Sequence, residues 1–184
     1  FFANGTSGAQ TKQGQVLYEQ NNSAMVFNTA STTETLRLVG GEIATGGETA
    51  PDVSAGGLCL DQNALDTSIM TFKNSDVAHG ITSQAETDTY GLFKKNSDGN
   101  GGFKIISLSE GDNSFQVQGF VTSDNTTQNA SAGAPIKLDA RKKSGTSVGS
   151  MGANANLLVV QNDGTGRFIA VSYTHLRAHE TDSY

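Results

Sequence analysis

Two histidines near the end of the chain have the spacing of a zinc site. His175 and His179 are four residues apart, which places two imidazoles on one face of a helix, as in zinc metalloproteases. Arg177 and Ala178 stand between them, where a protease of this kind carries the glutamate that acts as general base. The spacing alone therefore does not predict a metal site.

The same histidines belong to a string that resembles a translated sequencing adaptor. Residues 171–181 read Val-Ser-Tyr-Thr-His-Leu-Arg-Ala-His-Glu-Thr, which is similar to the in-frame translation of a transposase-type adaptor. The resemblance implies that residues 171–184 are a non-native, adaptor-derived tail, and such segments are left out of fold reasoning. The chain begins at Phe1 without a readable signal peptide, so we expect an internal piece of a longer reading frame.

A single cysteine and one further histidine are the remaining candidates for nucleophilic chemistry. Cys59 lies between two leucines, and His79 follows twenty residues later. A cysteine nucleophile needs a base within hydrogen-bond reach and a third group that orients the base. The flanking leucines instead favour a buried, inert thiol. His79 precedes Gly80, which favours a turn in which the imidazole bonds a backbone carbonyl.

The segment Asn96–Gly101 resembles the first half of a calcium-binding loop. It carries oxygen-bearing side chains at alternate positions and a glycine for the bend. Counting onward, the ninth position is Lys104 and the twelfth is Ser107, where a calcium loop requires a bidentate glutamate. A cation in place of a ligand excludes the calcium site. The Asp-Gly and Asn-Gly steps predict a hairpin turn.

Acidic and basic side chains do not select a site either. Asp61, Asp66, Glu86 and Asp88 are candidates for the carboxylate pair of a glycosidase, but no spacing brings two of them together. The cationic triplet Arg141–Lys143 is expected at a solvated strand end, since three charges give little affinity for a polyanion. We therefore predict no catalytic, cofactor-binding or metal-binding residues, no cofactor and no enzymatic activity.

The composition indicates a surface of small hydroxyl and amide side chains. The 184 residues include 12 Lys and Arg against 18 Asp and Glu, a net charge of −6, and only 16% are charged, compared with about 25% in typical domains. One Cys excludes an internal disulfide framework. The negative charge does not favour nucleic acid as a partner, and no apolar run approaches the ~18 residues of a membrane span.

Apolar residues recur with a period of two, which predicts strands with one apolar face. Leu157–Val160 and Arg167–Ile169 lack this alternation and predict strands covered on both sides. Glycine-containing turns separate the runs, and no long segment has helical spacing. The fold class is therefore all-β, with short antiparallel strands in repeated strand–turn–strand units. The alternating runs lie at residues 24–28, 69–73, 103–108, 115–120 and 136–141.

The glycine-rich segment Gly40–Gly57, which contains Pro51, is the best linker candidate. It divides the chain into an N-terminal shaft-like β repeat with its linker (1–57), a β-rich structural domain (58–170) and the adaptor-derived tail (171–184). A strand–turn–strand unit cannot bury its apolar face alone. We therefore expect a shaft-like or sandwich-like arrangement that oligomerisation completes.

Several strings resemble structural proteins of tailed bacteriophages. Gln15–Thr29, followed by Leu36–Leu38, resembles the shaft repeats of tail fibres, in which a strand ending in Tyr plus an acid precedes a turn and a Met-x-Phe-x-Thr strand. The Gly-x-Val-Gly-Ile-Gly string that usually follows the shaft unit is replaced by the sequence of Gly40–Gly46. Three further strings, at residues 71–80, 86–91 and 157–169, are similar to other phage structural proteins.

The resemblance implies a component of a virion appendage, which provides scaffolding or host attachment without catalysis on an extracellular particle. The implied partners are further copies of the chain, with a trimer as one option, other virion proteins and a host surface glycan. Neither nucleic acid nor membrane insertion is expected. Two alternatives stay open. One is a tailspike-type segment that binds or degrades polysaccharide, although the chain has no Trp for sugar stacking; the other is a secreted bacterial adhesin module.

Overall fold

A computed structural model describes residues 14–29, 33–129 and 132–172, and all regular structure within these ranges is β. The strands form one sheet of five, one of three and two of two strands. The predicted all-β class is confirmed. The strands are β1 (Gly14–Glu19), β2 (Ala24–Thr29), β3 (Thr33–Val39), β4 (Glu42–Thr45), β5 (Leu58–Cys59), β6 (Ser68–Lys73), β7 (Thr89–Ser97), β8 (Gly101–Ser107), β9 (Arg141–Ser144), β10 (Ser147–Ser150), β11 (Asn156–Asn162) and β12 (Thr165–Val171).

The five-stranded sheet has the order β1-β2-β3-β4-β5. Its ladders are antiparallel except for the short parallel pairing of β4 with β5. Alternation along β2 buries Ala24 and Val26 and leaves Met25 exposed between them, because successive side chains of a strand point to opposite faces. Gly40 and Gly41 have φ angles of 60° and 86°, which suits the tight turn between β3 and β4.

The three-stranded sheet is an antiparallel meander of β6, β7 and β8. Leu92 of β7 is 2% exposed. On the other face of the sheet, the ring of Phe93 contacts those of Phe72 and Phe103, with centroid separations of 5.4 and 5.2 Å. The predicted hairpin turn at Asn96–Gly101 is confirmed, since β7 and β8 pair as neighbours around it.

The contacts within the chain divide it into two compact units after Gln116. The second unit contains the hairpins β9–β10 and β11–β12. The predicted Asp-Gly turn of the latter is confirmed, with φ angles of 47° at Asp163 and 74° at Gly164. Strand β12 reaches Val171, which pairs with Asn156, so the first residue of the adaptor-like string takes part in a ladder.

Two predicted strands are absent from the described residues. The alternating run at 115–120 has no ladder partner there, nor has the run at 136–141 except for Arg141, which begins β9. Phe120 and Leu138 are 88% and 76% exposed. Alternation reports an amphipathic extended chain, but a strand also needs a neighbour for its backbone N–H and C=O groups. The covering predicted for β11 and β12 is also missing, because apolar side chains on both of their faces are exposed.

The segment predicted as a linker takes part in the first sheet. Gly40–Gly57 contains β4, and the N–H of Ile43 donates to the carbonyl of Gly57 at 3.0 Å. The domain division after Gly57 and the adaptor origin of the tail stay predictions. Residues 173–184, including His175 and His179, lie outside the described part of the chain.

Candidate functional site

The most buried charged group of the described residues is Arg37 on β3, with 3% exposure. Its Nε and Nη2 atoms donate to the two carboxylate oxygens of Glu34 at 2.7 and 2.6 Å, and its Nη1 donates to Glu19 at 3.0 Å. Glu19 belongs to β1, so the guanidinium spans β2, where Ala24 lies opposite Glu19 and is fully buried. Arg37 thus ties the outer strand to the centre of the sheet.

A β-bulge brings Glu34 and Arg37 to the same face. Residues three apart on a regular strand point to opposite faces, because the side-chain period is two. Leu36 pairs with Phe27 and Glu34 pairs with Asn28, so Thr35 is an extra residue in β3. The insertion returns the Glu34 carboxylate to the face of Arg37. Sequence reasoning missed this cluster, and its one signal was an arginine within the apolar run Leu36–Val39.

The electrostatics of this cluster favour its charged form. Hydrogen bonds from the Asn22 amide and from Arg37 lower the pKa of Glu19 below its ordinary value of 4.5. The hydrogen bond to Glu34 raises the pKa of Arg37 further above its ordinary range. A guanidinium that is always protonated neither accepts nor releases a proton in catalysis. The cluster is therefore suited to hold strands together and not to do acid–base chemistry.

Acid is expected to weaken the fold through Glu19. Because the pKa of Glu19 is lower in the folded than in the unfolded chain, its contribution to stability is present above pH ~4.5 and is lost as the pH falls through the folded value. We expect the urea midpoint of the wild type to fall between pH 5 and pH 3, and that of Glu19→Gln to fall less. Equal losses in the two proteins would contradict the assignment.

A second polar cluster surrounds Lys73 at the end of β6. Its ammonium donates to Glu86 and lies 3.1 Å from Asp88, and these hydrogen bonds raise the pKa of Lys73. The structure thus brings together two of the four candidate acids, although with a cation between them. The Glu86 and Lys73 side chains are 78% and 40% exposed, and ion pairs this exposed contribute little stability.

His79 is held by the backbone of the same loop. The N–H of Ile81 donates to Nδ1 at 2.8 Å, so Nε2 carries the proton and donates to the carbonyl of Glu86 at 3.0 Å. The predicted bond between the ring and a backbone carbonyl is confirmed. Both ring nitrogens are hydrogen-bonded and the residue is 9% exposed. The imidazole therefore connects the backbone at Ile81 to the backbone at Glu86.

Removing the imidazole of His79 should destabilise the first unit. His79→Ala removes a ring that is 9% exposed and leaves the Ile81 N–H and the Glu86 carbonyl without these part-buried bonds. We therefore expect a loss of about 2 kcal/mol in the free energy of unfolding, roughly 1 kcal/mol for each lost bond. The control is Asn74→Ala, which removes the exposed side-chain bond to the N–H of Asp76 and should cost less than ~1 kcal/mol. Urea titrations followed by circular dichroism measure both. Equal costs for the two variants would show that His79 does not act in this way.

The other candidate residues lie apart from these clusters. Asp66 pairs with Lys95, and the carboxylate of Asp61 accepts from the N–H of Asn63 in its own turn. Cys59 is half-buried on β5 opposite Ala44, less covered than its leucine neighbours suggested. Within the described residues, no group of three or more His, Cys, Asp or Glu side chains is arranged to hold a metal ion.

The cationic triplet lies on β9, as predicted for a solvated strand, and all of that strand is exposed. Arg141 donates to Asp139 through Nε and Nη2 at 2.9 and 2.7 Å. A depression of about 570 Å³ borders this pair, and another of about 590 Å³ is lined by residues of 121–126 and 133–135. Each contains a single acid, Asp139 or Asp124, and one acid does not make a glycosidase pair.

Comparison with protein-family models, with curated proteins and with solved structures gives no match to this chain. The clusters around Arg37, Lys73 and His79 consist of ion pairs and hydrogen bonds that connect strands and turns.

Across residues 14–29, 33–129 and 132–172, the structure contains no helix with the length and hydropathy that a membrane crossing requires.

Proposed function

We propose that the chain is a structural component of a bacteriophage virion appendage similar to a tail fibre, with a role in scaffolding or host attachment and without catalysis. The observation that carries the proposal is the exposure of apolar side chains on small sheets, such as Leu58 at 50% and Val160 at 50%. A sheet with an apolar face has to bury it against another layer. A segment built for assembly has this property, and the repeated strand pairs agree with the resemblance to fibre shafts.

The polar clusters support the same role. Arg37 joins strands, Lys73 joins a strand to a loop, and His79 joins two parts of that loop. Each of these three side chains therefore stabilises the fold by connecting parts of it. In the proposed appendage, the partners are other copies of the chain, with a trimer as one option, and other virion proteins, while a host surface glycan is the external target.

One observation favours the alternative of a tailspike-type segment that binds or degrades polysaccharide. Glu86 and Asp88 meet at Lys73 on an exposed loop, and paired carboxylates are what glycoside cleavage needs. In this alternative, Lys73 has to leave the space between the two acids before a sugar enters. The structural role does not need that rearrangement, and we prefer it for this reason.

Analysis of purified particles tests the proposal. Virions of a phage that encodes this sequence should yield peptides of the chain in mass spectrometry, in fixed ratio to the other tail proteins. The same particles with Glu86→Gln should release as many reducing ends from host polysaccharide as the wild type. Absence of the peptides from particles, with their presence on uninfected cells, would replace the proposal by the adhesin. Loss of released reducing ends in the variant would favour the tailspike.

A further inference from the structure

One face of the five-stranded sheet exposes an apolar row that crosses all five strands. In the ladders, Tyr18 lies opposite Met25, Met25 opposite Leu38, Leu38 opposite Ile43, and Ile43 opposite Leu58. Paired residues point to the same face of a sheet. Their exposed fractions are 65, 42, 37, 40 and 50%. We call these five side chains the apolar row.

A second line of side chains on the same face extends the apolar row. Val16, Phe27 and Leu36 lie two residues from members of the row on β1, β2 and β3, and they pair with each other. Val16 is 39% exposed, and the other two are half-buried. The face is therefore apolar across β1, β2 and β3 up to Thr29 and Thr35, whose hydroxyls bond to each other at its edge.

Every charged side chain of these strands lies on the opposite face. Glu19, Arg37 and Glu42 alternate with members of the apolar row, and the bulge places Glu34 beside Arg37. The unit as a whole is strongly acidic, with thirteen Asp and Glu against five Lys and Arg in residues 14–116. An uncharged apolar face on an acidic unit is thus a specific feature of this sheet.

The face has the size of an interaction surface. Each strand residue occupies about 4.8 Å by 3.4 Å of a sheet, so the five strands present roughly 400 Å² on this side. This is the size of the largest apolar patch on a typical monomer, which often has a function. Two such faces packed together bury roughly 800 Å² in total, which is in the range of weak, concentration-dependent interfaces.

We propose that this face packs against the same face of another copy of this chain. An identical face supplies an apolar, uncharged partner of equal size, as symmetric self-association requires. Two units that are both acidic repel each other over most of their surface. Contact through the apolar row brings no charged side chains together. A cationic partner gains nothing from an uncharged face. The inference does not depend on the phage role, because an adhesin with this sheet would assemble in the same way.

The test measures the mass of the full chain in solution by sedimentation velocity at several concentrations. The wild type should sediment as a multiple of its 19.2 kDa monomer. The double variant Met25→Lys and Leu38→Lys brings like charges into the contact, which costs several kcal/mol, so the dissociation constant should rise by at least about 100-fold. The matched control is Leu65→Lys with Ile81→Lys, which changes two side chains outside the sheet that are 61% and 43% exposed. It should keep the wild-type mass.

A second measurement covers the case in which the double variant does not fold. Met25→Cys in a Cys59→Ser background should give covalent multimers with a short bis-maleimide, and Leu65→Cys in the same background should not. A monomeric wild type at 100 µM would overturn the proposal. So would a wild-type mass in a folded double variant, or the absence of Met25→Cys multimers. The inference rests on the self-association in the proposed function. The adhesin and the fibre give the same results here, so these outcomes test the self-association alone, whereas the analysis of purified particles tests the phage role.

Discussion

Arg37→Ala will lower the free energy of unfolding of the first unit by about 3 kcal/mol, as is usual when one partner of a buried ion pair is removed. Arg37 is 3% exposed, so water does not take the place of its ion pairs. Without the guanidinium, the carboxylates of Glu34 and Glu19 lose the cation to which both are hydrogen-bonded. Urea titration followed by circular dichroism measures the loss.

Two further variants separate burial from charge. Arg141→Ala removes a guanidinium that is bonded twice to Asp139 but is 57% exposed, and it should leave the unfolding midpoint of its own unit unchanged. Glu34→Ala combined with Arg37→Ala removes the charge that the single substitution leaves unpaired, and it should recover part of the loss. If Arg37→Ala were no more harmful than Arg141→Ala, the proposed strand connection would be wrong.

Gly46→Ala should cost about 3 kcal/mol or more, because two effects combine there. The residue has a φ of 67°, in the left-handed region, and a Cβ atom would come within 2.5 Å of the carbonyl oxygen of Asp61. That carbonyl already accepts from the Thr45 hydroxyl, and the amide of Asn63 donates to the carbonyl of Gly46. The end of β4 therefore has no room to move away.

The adjacent glycine is a matched control. Gly47 has a φ of 83°, but a Cβ atom there would meet nothing within 4 Å. Gly47→Ala therefore carries only the backbone penalty of about 1 to 2 kcal/mol. The difference between the two variants, measured by the same urea titration, isolates the contact with Asp61. Equal losses would mean that the loop of Asp61 does not pack on β4 as described.

The sequence predicted the strands and turns that depend only on residues close to each other in the chain. Alternation predicted β2 and β6, and the Asp-Gly step predicted the turn at Asp163, since both depend only on residues close in the chain. The run at 115–120 shows the limit of this reasoning. Its alternation is as regular as that of β2, but pairing depends on a distant partner that no local pattern specifies.

The functional residues divide in the same way. The backbone bonds of His79 were predictable because a histidine beside Gly80 favours a turn. The Arg37 cluster was not predictable, because its members belong to different strands. In addition, a bulge at Thr35 places Glu34 and Arg37 on the same face, although their spacing predicts opposite faces. The meeting of Glu86 and Asp88 at Lys73 likewise required the register of the loop against β6.

We propose that the chain is a structural part of a phage appendage, in which the sheets of one copy are completed by those of other copies. Gold-labelled antibodies against the chain, viewed by electron microscopy on particles of a phage that encodes it, locate the chain in the particle. We expect gold along the fibres that extend from the tail. Gold confined to the capsid or to bacterial cells, with bare fibres, would show that the proposal is wrong.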